Sequence, residues 1–194
     1  MELRFNSIDT EIVSDYEKDF TSTERTIKIA VLDSGVDYAT SDANILKTVN
    51  FVEEDQDCEE MLMDMTGHGS AVAGIISIIN PEAEIYSVRI LDKDNTTSLS
   101  RAVKGINWCI NNDVNIINMS FGTETDYEPL HDAIKEASEK GILLIASAGN
   151  DSNKMIEYPA KYAEVMCVGS VNDEGLISKH NAWGEEIGEN FRNG

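Results

Sequence analysis

The sequence predicts an α/β protein of three layers, in which a mainly parallel central sheet carries helices on both faces. Short apolar segments rich in Ile, Leu and Val alternate with segments of helical periodicity. Strands separated by helices imply right-handed crossover connections and hence parallel neighbours. Several of the apolar segments also end in polar, glycine-containing tails, which is typical of the carboxyl edge of such a sheet, where ligands bind.

The elements follow a polar arm over residues 1–26, which we expect to lie on the surface. Five apolar segments are predicted strands: 27–32, 85–91, 114–119, 142–146 and 165–171. Three amphipathic or apolar segments are predicted helices: 70–79, 99–110 and 128–140. Ser98 is the predicted N-cap of the second helix, and Gly141 ends the third. Residues 37–65 are predicted to be mostly loop.

Composition excludes several classes of partner. The 194 residues carry 36 acidic and 15 basic side chains, a formal net charge of -21, so nucleic acids and anionic membranes are poor partners. No apolar run approaches the roughly 20 residues of a membrane span, and the first 20 residues contain no apolar core of a secretory signal. We therefore expect a cytoplasmic protein.

The three cysteines are widely spaced and odd in number, which favours neither a disulfide framework nor a zinc site. Cys109 and Cys167 lie in apolar segments and are expected to be buried thiols. His131, on a charged helix, and His180, in a polar loop, are expected to be exposed and without a catalytic role.

Three polar side chains at predicted strand or helix ends are candidates for catalysis. Asp33 follows a buried strand, where an ionised carboxylate is costly without a partner; its alternative is a surface turn. His68 lies between two glycines at a helix start and is alternatively a structural or exposed histidine. Asn150 offers an amide that can donate to an oxyanion, and is alternatively a turn residue.

Four segments together resemble the motifs of subtilases, a family of serine endopeptidases. They are residues 29–37 (IAVLDSGVD) for the aspartate, 67–74 (GHGSAVAG) for the histidine, 115–122 (NIINMSFG) for the substrate-binding strand and 145–150 (IASAGN) for the oxyanion segment. Tyr158-Pro159-Ala160 resembles a loop in which the family proline is often cis. The resemblance covers roughly residues 27–185 and follows the chain order of subtilisin, Asp then His. The resemblance implies that residues 27–194 form a partial catalytic domain of subtilisin-like fold, incomplete at its C-terminal end.

The resemblance implies a mechanism. His68 acts as general base and then general acid, Asp33 holds its tautomer, and Asn150 stabilises the tetrahedral oxyanion. The substrate is a peptide or protein, whose extended backbone would lie along the binding strand. The implied substrate-binding residues are Ser120, Phe121, Gly122, Ala148 and Gly149. The small residues at 148 and 149 favour an apolar side chain before the scissile bond.

The chain departs from the family in lacking its nucleophile. No segment resembles the G-T-S-x-A-x-P motif, and neither Ser70 nor Ser170, which follow glycines, has that pattern around it. Ala71 stands where the histidine helix normally has a second histidine. The link at 80–84 is too short for the calcium loop of many secreted members, and the acidic stretch 53–60 is more simply a solvated charge run than a cation site. We therefore predict no metal and no cofactor.

Two functions remain open. One is a serine endopeptidase whose serine lies beyond residue 194, and the alternative is a catalytically dead pseudoenzyme that binds peptides. A nucleotide-binding domain is excluded because no glycine-rich phosphate motif follows the first strand. Without the helix that carries the serine, an apolar sheet face would be uncovered, so we expect self-association or a complementing C-terminal segment.

Overall fold

The computed structural model describes residues 26–37, 43–53, 64–152, 154–172, 174–182 and 184, and its centre is a six-stranded sheet. The strands are β1 (Lys28–Asp33), β2 (Ile45–Asn50), β3 (Glu84–Arg89), β4 (Ile116–Met119), β5 (Leu143–Ser147) and β6 (Met166–Val168). The helices are α1 (His68–Ile79), α2 (Leu99–Asn111) and α3 (Glu128–Glu139). All pairings are parallel, in the order β2-β3-β1-β4-β5-β6.

Alternate residues of each strand point to opposite faces of the sheet. Leu32 of β1 joins a buried cluster with residues of α2 and α3, such as Ile106 and Ile134. The neighbouring Val31 belongs to a second cluster with Ala73 of α1. The predicted α/β class, the parallel sheet and the placement of helices on both faces are therefore confirmed.

The prediction that residues 37–65 are mostly loop missed β2. This strand pairs with β3 at one edge of the sheet, and among its residues only Asn50 is buried. A strand held mainly by backbone hydrogen bonds does not need the continuous apolar run by which buried strands are recognised. The last predicted strand, 165–171, is also shorter than expected, since β6 contains only Met166–Val168.

The helix ends agree closely with the sequence. The Ser98 side chain accepts a hydrogen bond from the backbone N–H of Arg101 at 3.2 Å, which makes it the N-cap of α2. Gly141 follows α3 with φ of 79°, a left-handed conformation that glycine adopts without steric cost. The N-terminal arm up to residue 25, the acidic stretch from residue 54 to 60 and Cys58 lie outside the described residues.

The two faces of the sheet are unequally covered. On the face that packs against α1, the register aligns Ile116 of β4 with Leu143 of β5, and Ile145 of β5 with Met166 of β6. Leu143, Met166 and Val168 are between 43% and 54% exposed. We call four of these side chains the open face: Leu143, Ile145, Met166 and Val168. The cluster that contains Ala73 of α1 includes residues of β1, β2 and β3 and, at its edge, Ile116 of β4, but no described residue of β5 or β6.

The strand ends decide where a site can form. β1, β4 and β5 are neighbours and run parallel, so Asp33, Ser120 and Ser147 lie along one edge of the sheet. Adjacent strands are about 4.8 Å apart, which keeps the three tails within reach of one substrate. Among the described helices, none has the length and apolar character needed to cross a membrane.

Candidate active site

Asp33 and His68 form a hydrogen-bonded pair at this edge. Asp33 is the last residue of β1 and is completely buried, whereas His68 begins α1 and keeps 47% of its side chain exposed. The Nδ1 atom of His68 lies 2.7 Å from Oδ1 and 2.9 Å from Oδ2 of Asp33. The structure thus brings together two of the three predicted catalytic side chains, 35 residues apart in the chain.

The pair sets the protonation of the imidazole. The hydrogen bond to Asp33 raises the pKa of His68 above its ordinary 6.5; burial opposes this shift, and the charges of Asp33 and Asp64 add to it. A carboxylate accepts a hydrogen bond from the Nδ1–H group, which leaves Nε2 as the acceptor nitrogen of the neutral ring. A neutral His68 can therefore receive a proton through Nε2, as a general base must.

Asp64 is a further residue beside this pair, and the sequence analysis did not identify it. Its Oδ1 accepts hydrogen bonds from the Ser34 hydroxyl at 2.7 Å and from the Gly67 N–H at 2.9 Å, and its Oδ2 accepts one from the Ser70 N–H at 2.8 Å. Burial raises the pKa of Asp64, but the hydrogen bonds from Ser70 and Ser34 outweigh it and hold the pKa below the usual value. An ionised Asp64 therefore satisfies the free N–H groups that begin α1.

Ser34 links this carboxylate to the Asp33–His68 pair. Its hydroxyl oxygen lies 2.7 Å from Asp64 Oδ1, 3.1 Å from Asp33 Oδ1 and 3.0 Å from the N–H of Gly69, from which it accepts. The Ser34 backbone N–H donates to Asp33 Oδ1 at 2.7 Å. The turn after β1 and the start of α1 are thus joined by side chains on both sides of the pair. The sequence did show Asp64 four residues before His68, but not its contact with Ser34.

Five of the other predicted residues line a cavity at the ends of β4 and β5. It has a volume of about 350 Å³ and is lined by Ser120, Phe121, Gly122, Ser147, Gly149, Asn150, Asp151, Lys154, Glu157 and Ala182. Residues 120–122 continue β4 beyond its last ladder pair, Met119 with Ala146. Asn150 therefore lies at the same cavity as the binding strand. Ala148 instead packs in the core and is 1% exposed, so its predicted substrate contact stays a prediction.

The cavity wall is more polar than the sequence suggested. The expectation of an apolar pocket rested on residues 148 and 149, whereas charged side chains of Asp151, Lys154 and Glu157 reach the lining. The sequence placed Glu157 directly before the Tyr158-Pro159 pair, whose peptide bond is cis, but nothing local indicated where its side chain would lie. The lining therefore carries charged groups beside the small residues that the sequence analysis considered.

His131 is not the exposed residue that the sequence predicted. Its ring stacks on Tyr162 with centroids 4.0 Å apart and an interplanar angle of 9°, and its Nε2 lies 3.2 Å from Glu164 Oε2. Tyr162 in turn donates to Asp126 at 3.0 Å. His131 thus ties α3 to the following loops, away from the Asp33–His68 pair, whereas His180 is exposed as expected.

The prediction of a buried thiol is confirmed for Cys109 but not for Cys167. Cys109 is completely buried, and burial raises the pKa of its thiol; Cys167 is only partly buried beside the core. Within the described ranges, no group of three or more acidic, histidine or cysteine side chains is arranged to hold a metal ion.

Comparison with known proteins agrees with this fold. The sequence model described as "Subtilase family" matches residues 24–192. The chain is 38% identical over 175 residues to the minor extracellular protease Epr of Bacillus subtilis strain 168, covering 85% of this chain and 26% of that protein. It is 36% identical over 169 residues to a thermostable alkaline protease of Halalkalibacterium halodurans, covering 82% and 45%.

It is also 33% identical over 178 residues to subtilisin E of Bacillus subtilis strain 168, covering 85% of this chain and 46% of that protein. The fold, the paired aspartate and histidine and these matches define one class of protein: the chain belongs to the subtilase family of serine endopeptidases. It spans less than half the length of these relatives.

Proposed function

We propose that this protein is a serine-type endopeptidase whose nucleophilic serine is supplied by sequence that follows residue 194. The observation that carries the proposal is the pair formed by the buried Asp33 and the half-exposed His68, joined at 2.7 and 2.9 Å. A carboxylate is costly to bury unless a hydrogen-bonded partner compensates it. A histidine held in this manner, with Nε2 available, is the arrangement that activates a serine hydroxyl.

The proposed reaction uses the residues in the order of proton transfer. Nε2 of His68 accepts the proton of the serine hydroxyl as its oxygen attacks the scissile carbonyl, and Asp33 stabilises the resulting imidazolium. Asn150, at the cavity, donates to the developing oxyanion; in subtilisin, removal of such a donor lowers kcat by about 10²–10³. His68 then returns the proton to the leaving amine, which leaves an acyl-enzyme. Water attacks this ester with His68 again as the base, and the proton returns to the serine oxygen.

The substrate is an extended peptide or protein segment. Residues 120–122 lie beyond the paired part of β4 and beside the cavity, so a peptide laid along them adds a strand and places one side chain in the cavity.

The decisive experiment examines the reading frame after codon 194 and the activity of the protein that it encodes. We expect the reading frame after codon 194 to encode a G-T-S-x-A segment, and the complete protein to cleave peptides and to be labelled by a serine-directed sulfonyl fluoride. His68→Ala should abolish turnover, whereas His180→Ala, at an exposed loop histidine, should not. A stop codon directly after 194, or turnover unchanged in His68→Ala, contradicts the proposal.

A peptide-binding pseudoenzyme is the second candidate, favoured by the absence of the serine motif from these 194 residues beside an intact binding strand. It predicts saturable peptide binding without turnover. Gly122→Pro should remove that binding, because the exposed backbone at 122 would lose its N–H and its added carbons would overlap Glu157. Peptide turnover that depends on His68 rules this candidate out.

We also propose what covers the open face. Leu143, Met166 and Val168 are large, apolar and about half exposed, and burying each gains roughly 25 cal/mol per Å². A following segment of the chain, or a second copy when that segment is absent, would supply the apolar side chains that this face lacks. The cytoplasmic location remains a proposal too, and one relative carries the name of an extracellular protease; cell fractionation with an antibody tests it.

A further inference from the structure

Glu157 places a carboxylate in the wall of the cavity beside the substrate strand. Its side chain packs against Gly122: a methyl group added to Gly122 would overlap Oε2 of Glu157 and would lie 3.0 Å from its Cβ and 3.3 Å from its Cδ. Gly122 belongs to the segment along which the substrate backbone would run. A side chain that enters the cavity from that backbone therefore passes close to this carboxylate.

The backbone holds Glu157 in this position. The next residue, Tyr158, forms an antiparallel bridge with Thr123, in which the Thr123 N–H donates to Tyr158 O at 2.9 Å and the Tyr158 N–H donates to Thr123 O at 2.8 Å. The carbonyl of Glu157 accepts from the N–H of Lys161 at 3.1 Å. Because the bridge joins the loop to the strand that leads out of the cavity, the distance between Glu157 and Gly122 is set by backbone hydrogen bonds.

One cation, Lys154, lies near the Glu157 carboxylate: the hydrogen bond to Glu124 chiefly raises the pKa of Lys154, and the charges of Glu157 and Asp151 add to that shift. Glu157 is partly buried and forms no ion pair with any residue that the structure describes. The ammonium of Lys154, which also lines the cavity, lies 2.8 Å from Oε1 of Glu124 and is thus engaged outside it. Asp151 adds a second carboxylate to the lining. The cavity therefore holds an excess of negative charge in a partly desolvated place, where a charge acts more strongly than in water.

We propose that Glu157 makes this cavity selective for a basic residue, arginine or lysine, immediately before the scissile bond. This inference rests on the proposed endopeptidase function. The volume of about 350 Å³ accepts a long side chain, whose apolar stem lies along the walls while its cation meets the carboxylate. An acidic side chain would meet like charge there, and a neutral one would form no ion pair with Glu157.

The test compares peptides that differ only in charge at that residue. The protein expressed from its complete reading frame is given otherwise identical peptides with arginine, with its neutral isostere citrulline, or with norleucine before the scissile bond. We expect kcat/KM to favour arginine over citrulline by about ten- to a hundredfold, the range of a charge-assisted hydrogen bond. Added salt should reduce this preference.

Two variants assign the preference to one carboxylate. Glu157→Gln keeps the shape and removes the charge, and should bring the ratio for arginine over citrulline close to one. Glu139→Gln, at an exposed glutamate in the last turn of α3, makes the same change in net charge away from the cavity and should keep the ratio of the unaltered protein.

The outcomes separate the two proposals. Cleavage of all three peptides with no preference for arginine, or a preference that Glu157→Gln leaves unchanged, overturns the selectivity and leaves the endopeptidase function standing. If none of the peptides is cleaved, the endopeptidase function fails and the selectivity fails with it.

Discussion

At the scale of single residues, Gly69 shows how closely α1 approaches the end of β1. A Cβ atom at this position would overlap the carbonyl oxygen of Gly35 and lie 3.1 Å from the Cβ of Asp33. The obstacle is backbone, which cannot rotate away. The separation between Asp33 and His68 therefore depends on the absence of a side chain at residue 69.

Gly69→Ala should destabilise the protein by about 1–3 kcal/mol, the usual cost of overpacking, and should weaken turnover more than it weakens binding of a product peptide. Gly74→Ala is the matched control on the same helix, since its Cβ would meet nothing within 4 Å. That change should instead stabilise by about 0.5–1 kcal/mol, because glycine is a poor helix former. Urea unfolding of both variants measures the difference, and equal effects would contradict the close approach.

The titration of His68 provides a second test at this scale. Its pKa is raised in the folded protein, chiefly by the hydrogen bond to Asp33, so the ring's NMR signals should titrate with a midpoint above 6.5. Asp33→Asn should lower that midpoint, whereas Asp94→Asn, at an exposed turn, should not. His68→Gln assigns the signal. A titration midpoint that Asp33→Asn leaves unchanged would refute the hydrogen bond between Asp33 and His68.

The same shift has a consequence for stability. A folded-state pKa above that of the unfolded chain means that protonation of His68 favours the folded state. This contribution is fully present below about pH 6.5 and is lost as the pH rises through the higher folded-state pKa. Activity should change in the opposite sense over the same range, because only the neutral imidazole accepts a proton. Unfolding and kcat/KM measured against pH, with His68→Gln as reference, check both signs.

At the scale of elements, the N-cap of α2 makes a contribution to the free energy of unfolding that can be measured by itself. Ser98→Ala removes the oxygen that accepts from Arg101 N–H and should cost about 1 kcal/mol of stability. Ser98→Asn keeps an acceptor at the N-cap and should restore most of the loss. Urea unfolding of the three proteins provides the measurement, and an alanine variant as stable as the asparagine variant would show that the cap contributes nothing.

Local sequence patterns did not predict the strand β2 or the surroundings of His131. β2 carries few buried side chains and is held by its pairing with β3. His131 lies on a helix full of charges, and only the loop that brings Tyr162 against it shows that its ring is stacked. Both features depend on partners distant in the chain, so no pattern in the neighbouring residues indicates them.

At the scale of the whole molecule, the open face should govern association. When these 194 residues are expressed by themselves, we expect concentration-dependent self-association in sedimentation velocity. Leu143→Lys, on the open face, should weaken it by tenfold or more, since burying a leucine is worth about 1.5–3 kcal/mol. Leu46→Lys, on the edge strand β2, makes the same change at a side chain of similar exposure and should have little effect.

A monodisperse monomer with a sharp melting transition would contradict this expectation. Self-association that Leu46→Lys weakens as much as Leu143→Lys would place the contact elsewhere. The net charge of -21 opposes association of copies, so the measurement should be repeated at raised ionic strength, where that repulsion is screened.

The sequence by itself determined the α/β class, the parallel direction of the strands, most helix ends and the identity of Asp33 and His68 as candidates. These follow from short-range rules: the spacing of apolar residues, the glycines at turns and the caps of helices depend on residues close in the chain. The common edge of the sheet follows from parallel topology, which alternating strands and helices require.

Only the tertiary structure decided what surrounds that pair. The contact of Ser34 with Asp64, the stacking of His131 on Tyr162 and the packing of Glu157 against Gly122 each join residues about 30 or more positions apart. Their partners are chosen by how the loops fold over the strand ends, which side-chain packing sets and local periodicity does not. The acidic wall of the cavity, and with it the selectivity we propose, therefore became visible only in three dimensions.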